Sequence, residues 1–294
     1  MKKIDKDKIK TWFVTGASSG VGHEICIQLL ERGYNVIAVA RRIPDLKHEN
    51  ALCLSVDVTK PETIQEAIKK GMERFDKIDV LSNNAGVSSC ITAEEETPEH
   101  MKEVMEVNFF GTFNTINAIL PHFRKNSNGT IINNSSMHGF SIRNGGSAYC
   151  SSKHAIEALS GVVKYEAQRF CRVMTFELGW FKSTELAKSN KVIETQIKEY
   201  QKLKPAYKNL YYTFENDLIK AVKIIIDQAE KEKLPRRLML GKDACIKASQ
   251  EIKQFKKELN KSKRLIGKCS KYKVELIFDL LKRFYKKHFN KGEK

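Results

Sequence analysis

Two stretches of the chain place a tyrosine four residues before a lysine. AYCSSK holds Tyr149 and Lys153, and YQKLK holds Tyr200 and Lys204. On a helix, residues four apart share a face. A free phenol ionises only at about pH 10. A lysine cation one turn away favours the phenolate, which makes the tyrosine a usable proton donor or acceptor near neutral pH. Spacing alone allows this chemistry at either pair. It also allows two solvated helix faces, so the surroundings must separate them.

A second cluster suits an anion. TGASSGVG joins an apolar run, WFVT, to a helical stretch. Gly16 permits a tight turn, while Gly20 and Gly22 let backbone approach a pyrophosphate and let the helix pack closely. The N–H groups of Ser18, Ser19, Gly20 and Val21 open that helix and face such a phosphate. The next strand ends Ala40-Arg41-Arg42, without the acidic residue that hydrogen-bonds a ribose 2′-hydroxyl. Arginine instead forks onto phosphate. This favours NADP over NAD, with Arg42 equally readable as a surface charge. Asp57, in VDVT, could accept from an adenine amino group or cap a turn, and Val58 follows it.

These side chains need a scaffold, and the pattern supplies one. Strands are expected at 12–15, 35–40, 51–56, 78–82, 130–135, 172–178 and 236–240. Helices are expected at 21–31, 61–73, 98–125 (with kinks) and 147–170. Thr59 is the expected N-cap of the second, with Pro61 early in its first turn. Strand–helix–strand alternation predicts an α/β fold, a doubly wound parallel sheet of about seven strands. Ligands bind such sheets at the carboxyl ends of strands, where every motif above falls.

Bulk properties narrow the classes. The chain has 294 residues and is 41% hydrophobic, enough for a substantial core. No apolar run approaches the ~20 residues of a membrane span, and MKKIDKDKIK lacks the apolar stretch of a secretory signal. The seven cysteines form no CxxC pair, so reduced thiols in a cytoplasmic protein are expected, without a metal site. The net charge is +17, and residues 245–294 carry 16 Lys/Arg against 5 Asp/Glu. The first 244 residues thus carry only +6, an ordinary balance that gives nucleic-acid binding no support.

Together TGASSGVG, Asp57-Val58, NNAG at 83–86, Asn108, Ser136 and YCSSK resemble the short-chain dehydrogenase/reductase family, in its compact TGxxxGxG branch. The resemblance covers about residues 9–245. It implies a Rossmann-like nucleotide-binding domain over 1–245, followed by a basic, helical extension over 246–294. The family places its catalytic serine thirteen residues before the tyrosine. That position is Ser136 for Tyr149 but Ala187 for Tyr200, so the resemblance selects Tyr149. It implies Asn108, Ser136, Tyr149 and Lys153 as catalytic residues, with Ser135 a rival to Ser136. Asn84, Ala85, Gly86, Gly179 and Ser183 join the glycine turn around the cofactor, with Tyr149 and Lys153 also touching it. Thr184 competes with Ser183 for its place.

Two substitutions depart from the family. Leu178 stands where Pro-Gly is usual, which predicts a more mobile turn at Gly179. Ser82 replaces an aliphatic residue before NNAG. The implied activity is NADP(H)-dependent interconversion of a carbonyl and an alcohol on a small molecule, within a dimer or tetramer. The alternative is a catalytically silent NADP(H)-binding regulator or scaffold. His138, Phe140 and Arg143 are candidate pocket residues. The segment 184–216, with Tyr200, Tyr207, Tyr211, Tyr212 and Phe214, is expected to cover the substrate. The stretch 273–289 reads as a basic amphipathic helix for a membrane surface, a partner or the protein's own body.

Overall fold

The structure, a computed structural model, describes residues 9–181, 190–192, 195–201, 216–265 and 279–284. It divides into two compact units, 1–248 and 249–294.

Within the first unit, strands β1 (Thr11–Thr15), β2 (Asn35–Ala40), β3 (Ala51–Ser55) and β4 (Val80–Asn83) alternate with helices α1 (Gly20–Glu31) and α2 (Pro61–Phe75). A three-residue strand, β5 (Ser88–Cys90), precedes α3 (Pro98–Met105) and α4 (Gly111–Asn126). Then come β6 (Thr130–Asn134), α5 (Ser147–Glu166), β7 (Arg172–Leu178), β8 (Asn190–Val192), α6 (Lys198–Gln201), α7 (Leu218–Ala229), β9 (Arg237–Leu240) and the start of α8 (Lys242–Leu265), which continues into the second unit. Seven strands form one sheet in the order β3-β2-β1-β4-β6-β7-β9, and each neighbouring pair is parallel. This is the doubly wound, Rossmann-like α/β fold. The order reverses between β1 and β4, and the crevice at such a switch point is where these sheets bind ligands.

Parallel strands covered on both faces read as continuous apolar runs, and β1 is buried at every position. Its side chains alternate between two cores. Trp12 and Val14 pack with Ile25 and Leu29 of α1 and Val222 and Ile225 of α7. Phe13 packs with Ile64 of α2, Ile116 and Phe123 of α4 and Val163 of α5.

Several boundaries differ from expectation. Helix α1 opens at Gly20, one residue early, and α5 ends at Glu166. Lys60, not Thr59, occupies the N-cap of α2, because Pro61 takes the first helical position. The Thr59 hydroxyl donates instead to Asp57 Oδ1 at 2.8 Å. The expected 98–125 helix is interrupted by a π-helical turn at Glu106–Phe110. The β5–β8 pair was not anticipated.

Candidate active site at the sheet switch point

The turn after β1 is shaped by exclusion. Gly16 has φ +64°, and a Cβ there would lie 2.8 Å from Ala85 N. A Cβ on Gly22 would lie 2.5 Å from Gly16 O. Any side chain at either position would push the turn away from the NNAG loop or α1 away from the turn. That loop is pinned by Thr15, whose hydroxyl accepts from Asn84 N at 2.9 Å and Ala85 N at 3.1 Å. Ser82 now has an explanation. Its hydroxyl accepts from Asn84 Nδ2 at 2.9 Å, so a polar residue in a buried strand orients the asparagine. Asn84 Oδ1 is buried without a partner among the described residues, an acceptor available to a ligand.

These loops border one cavity of about 570 Å³. Gly16, Ser18, Ser19, Gly20, Val21 and Gly22 line it beside Arg41 and Arg42. Asp57, Val58, Asn84, Ala85 and Gly86 form the next wall. Ser136, Tyr149, Lys153 and Gly179 lie at the same cavity, as do Ser135, His138 and Arg143. Val87, Ser88, Val107, Leu178, Trp180 and Phe181 line it too and were not foreseen. Ser183 and Thr184 lie outside the described residues, as do Tyr207, Tyr211, Tyr212 and Phe214. Phe140 is absent from the described lining and stacks under the Arg237 guanidinium at 5.1 Å.

The second tyrosine–lysine pair parts from the first. Tyr200 donates from its hydroxyl to Glu94 at 2.9 Å and does not border the cavity. Lys204 lies outside the described residues. Asn108 also stands back from the described cavity wall. Fully buried, it accepts from Val87 N at 2.8 Å and donates to Val87 O and Ser152 Oγ. Its π-helical turn thus clamps the end of NNAG to α5, the helix that carries Tyr149 and Lys153.

Tyr149 lies near two cations. Lys153 Nζ is 5.7 Å from its ring centroid, and the Arg143 guanidinium is 4.8 Å away. Arg143 is tethered by Nη2 donation to Ser89 O at 2.7 Å and Ser88 Oγ at 3.2 Å. Lys153 donates to Asn134 O at 2.8 Å. Burial lowers its pKa to about 8, against the opposing pull of Glu157. Ser136 Oγ accepts from His138 N at 3.1 Å, which leaves its proton to donate. Ser135 Oγ is buried without a partner among the described residues. Asp57 is desolvated, yet hydrogen bonds from Thr59 and the charges of Arg41 and Lys60 hold its pKa below the usual value.

The turn lacking proline after β7 is secured by other means. Trp180 N donates to Asp243 Oδ2 at 2.7 Å, and Asn216 Nδ2 bridges Trp180 O and Asp243 Oδ1. A Cβ on Gly179 would collide with the same carboxylate. Asp243 and Asn216 lie far along the chain from the turn, so no local motif announced them.

Behind Lys153, Arg237 Nε meets Glu157 at 2.9 Å and the fully buried Glu177 at 3.3 Å. Burial and the neighbouring Glu157 push Glu177 up to about 8. An unfolded glutamate ionises at about 4.3. Between those values the folded state holds a proton that the unfolded state has lost. Stability therefore falls as pH rises across this window and falls no further above it. Lys153, lowered from the ordinary lysine range, acts only above about pH 8 and in the opposite sense. The wild-type Tm is expected to drop more steeply between pH 5 and 8 than that of Glu177→Gln. Parallel pH series of thermal melts would show it; identical slopes would remove the assignment.

Residues 10–194 match the family model for short chain dehydrogenase. The chain belongs to the short-chain dehydrogenase family. An oxidoreductase of Botryotinia fuckeliana is 30% identical to this dehydrogenase over 247 residues, 80% of this chain and 90% of the relative. A short-chain dehydrogenase of Streptomyces avermitilis superposes with TM-score 0.84 at 30% identity, covering 90% of this chain and 99% of the other. An alcohol dehydrogenase of Thermococcus sibiricus, solved with 5-hydroxy-NADP, matches with TM-score 0.64 at 25% identity, covering 80% and 97%. Membership makes this dehydrogenase an NAD(P)-dependent oxidoreductase of the CH–OH class. Among the described residues, no helix is long and apolar enough to cross a membrane.

Proposed function

We propose that this short-chain dehydrogenase interconverts a carbonyl and an alcohol on a small molecule with NADP(H), using Tyr149 as the acid–base residue. The observation that carries the reading is the single cavity shared by the glycine turn, Arg41, Ser136, Tyr149 and Lys153. The closely packed glycines and the buried acceptor on Asn84 fit a dinucleotide. Gly16, Ser18, Ser19, Gly20, Val21 and Gly22 would hold its pyrophosphate; Arg41 and Arg42 would hold the 2′-phosphate. Asp57 and Val58 would meet the adenine, and Asn84, Ala85 and Gly86 the adenosine ribose, with Gly179 and Ser183 near the nicotinamide end. The nicotinamide, when bound, supplies or accepts the hydride.

The remaining steps belong to the chain. Ser136 donates its free proton to the substrate oxygen and fixes the carbonyl. Tyr149 protonates that oxygen in reduction, or removes the proton in oxidation. Lys153 stabilises the phenolate by its charge and reaches toward the ribose. Asn108 keeps α5 in register with the nucleotide loop. Two observations support NADP: Ala40 leaves no carboxylate at the end of β2, and the Arg42 guanidinium reaches across to Ser18 O at 3.3 Å. A panel of carbonyls and alcohols with each coenzyme tests the reading.

We also propose a homo-oligomer and a separable tail. Phe113 on α4 and Val162 on α5 are large apolar side chains in the open. Of the stretch 273–289, only 279–284 is described; it is helical with Leu280, Leu281 and Phe284 exposed. All proposed site residues precede residue 246, which assigns 1–245 to the chemistry and 246–294 to contacts with a partner or an anionic membrane surface. A chain ending at residue 268 is expected to bind NADPH as the full chain does and to lose salt-sensitive sedimentation with anionic vesicles. Aggregation of the shortened chain would instead show that the tail covers apolar surface of the body.

A further inference from the structure

The cavity wall opposite in character to the glycine turn is built by His138 and Arg143. His138 lies two residues after Ser136 on a 3₁₀ turn, Met137–Gly139, and is buried. It lines the cavity, yet its Nε2 makes no hydrogen bond among the described residues. A buried polar atom without a partner is costly, and such atoms in native proteins call for a ligand or water.

The local network fixes which kind of partner fits. The Ser141 hydroxyl donates its only proton to Met137 O at 2.8 Å. Its oxygen is therefore left to accept from His138 Nδ1 across a long 3.5 Å contact, which favours the tautomer protonated at Nδ1. A neutral imidazole carries one donor and one acceptor, so Nε2 is the acceptor. Neutrality is favoured because burial, then the charges of Arg143, Lys247 and His154, lowers the pKa to about 3. Trp180 holds the ring edge-on at 6.3 Å. Arg143, on the same wall, carries only donors. Trp180 and Phe181 add aromatic surface beside them.

We propose that His138 is a specificity-determining residue, and that the substrate is a hydroxy ketone whose hydroxyl donates to His138 Nε2 while its carbonyl meets Ser136 and Tyr149. The hydroxyl also has acceptor lone pairs, which suit the donor-only guanidinium of Arg143. A plain ketone would leave Nε2 unpaired, so the wall discriminates against it. A carboxylate at the same place would set lone pair against lone pair at Nε2. This inference rests on the proposed carbonyl–alcohol chemistry.

The test compares 2-hydroxyacetophenone with acetophenone, which differ by one hydroxyl, using the full chain and NADPH. Wild type is expected to favour the hydroxy ketone in kcat/KM by about tenfold or more. His138→Leu should bring that ratio near one through loss on the hydroxy ketone alone, and His138→Gln, which keeps an acceptor, should restore part of it. Calorimetric binding of each ketone to the NADPH-loaded Tyr149→Phe protein gives the same comparison without turnover. A wild-type ratio near one, equal losses on both ketones, or activity on neither while NADPH binds would overturn the inference. The carbonyl–alcohol reading falls separately, only if the wider substrate panel is inert.

Discussion

The Tyr149→Phe protein is expected to lose turnover of every ketone and alcohol that the wild type accepts, by about 10²–10⁴-fold, while binding NADPH with unchanged affinity. The substitution removes one hydroxyl and keeps the ring. The ring is what the Arg143 and Lys153 cations face, at 4.8 and 5.7 Å, so their arrangement should persist. Only the proton donor disappears. Tyr200→Phe is the matched control. Its hydroxyl is spent on Glu94 and lies off the described cavity, so the chemical step should survive. Steady-state rates and equilibrium NADPH titrations on both proteins check this. A dead Tyr200 variant beside an active Tyr149 variant would reverse the assignment.

The Arg41→Ala protein is expected to bind NADPH about 10–100-fold more weakly, with NADH nearly unaffected. A charge-assisted hydrogen bond from arginine to phosphate is worth about 1.5–3 kcal/mol. NADH lacks the 2′-phosphate and has nothing there to lose. Arg41 lines the cavity, and the strand that delivers it ends in Ala40 rather than an acid. Titrating both coenzymes into both proteins gives the answer. Equal weakening, or a wild type that prefers NADH, would reject the coenzyme reading.

Much of this architecture was legible in the chain because it is written locally. Apolar runs such as NVIAVA, separated by helical stretches, are what a sheet covered on both faces requires, and β2 is found at the expected residues. The selection of Tyr149 over Tyr200 needed a partner thirteen residues away, still within reach of a linear pattern. Contacts across long separations left no such trace. Asp243 holds Trp180 N from 63 positions further on, and nothing in GKDA announces it. Ser82 looked like an anomaly until Asn84 was seen to donate to it. The π-helical turn changes the hydrogen-bond register of a helix without changing its residue types, so periodicity passes over it. His138 was readable as a pocket residue, but its acceptor face depends on where Ser141 spends its proton.

The most direct measurement of the central claim is a single-turnover transfer of label. Wild-type protein and Tyr149→Phe, each saturated with NADPH deuterated at the reactive nicotinamide carbon, are mixed with a ketone that the wild type reduces. The product is then examined by mass spectrometry. The expected result is an alcohol labelled on its carbinol carbon from the wild type, and no labelled alcohol on the same timescale from Tyr149→Phe despite full coenzyme occupancy. Equal labelling by both proteins would contradict the role given to Tyr149, and unlabelled alcohol from the wild type would contradict hydride transfer in this cavity.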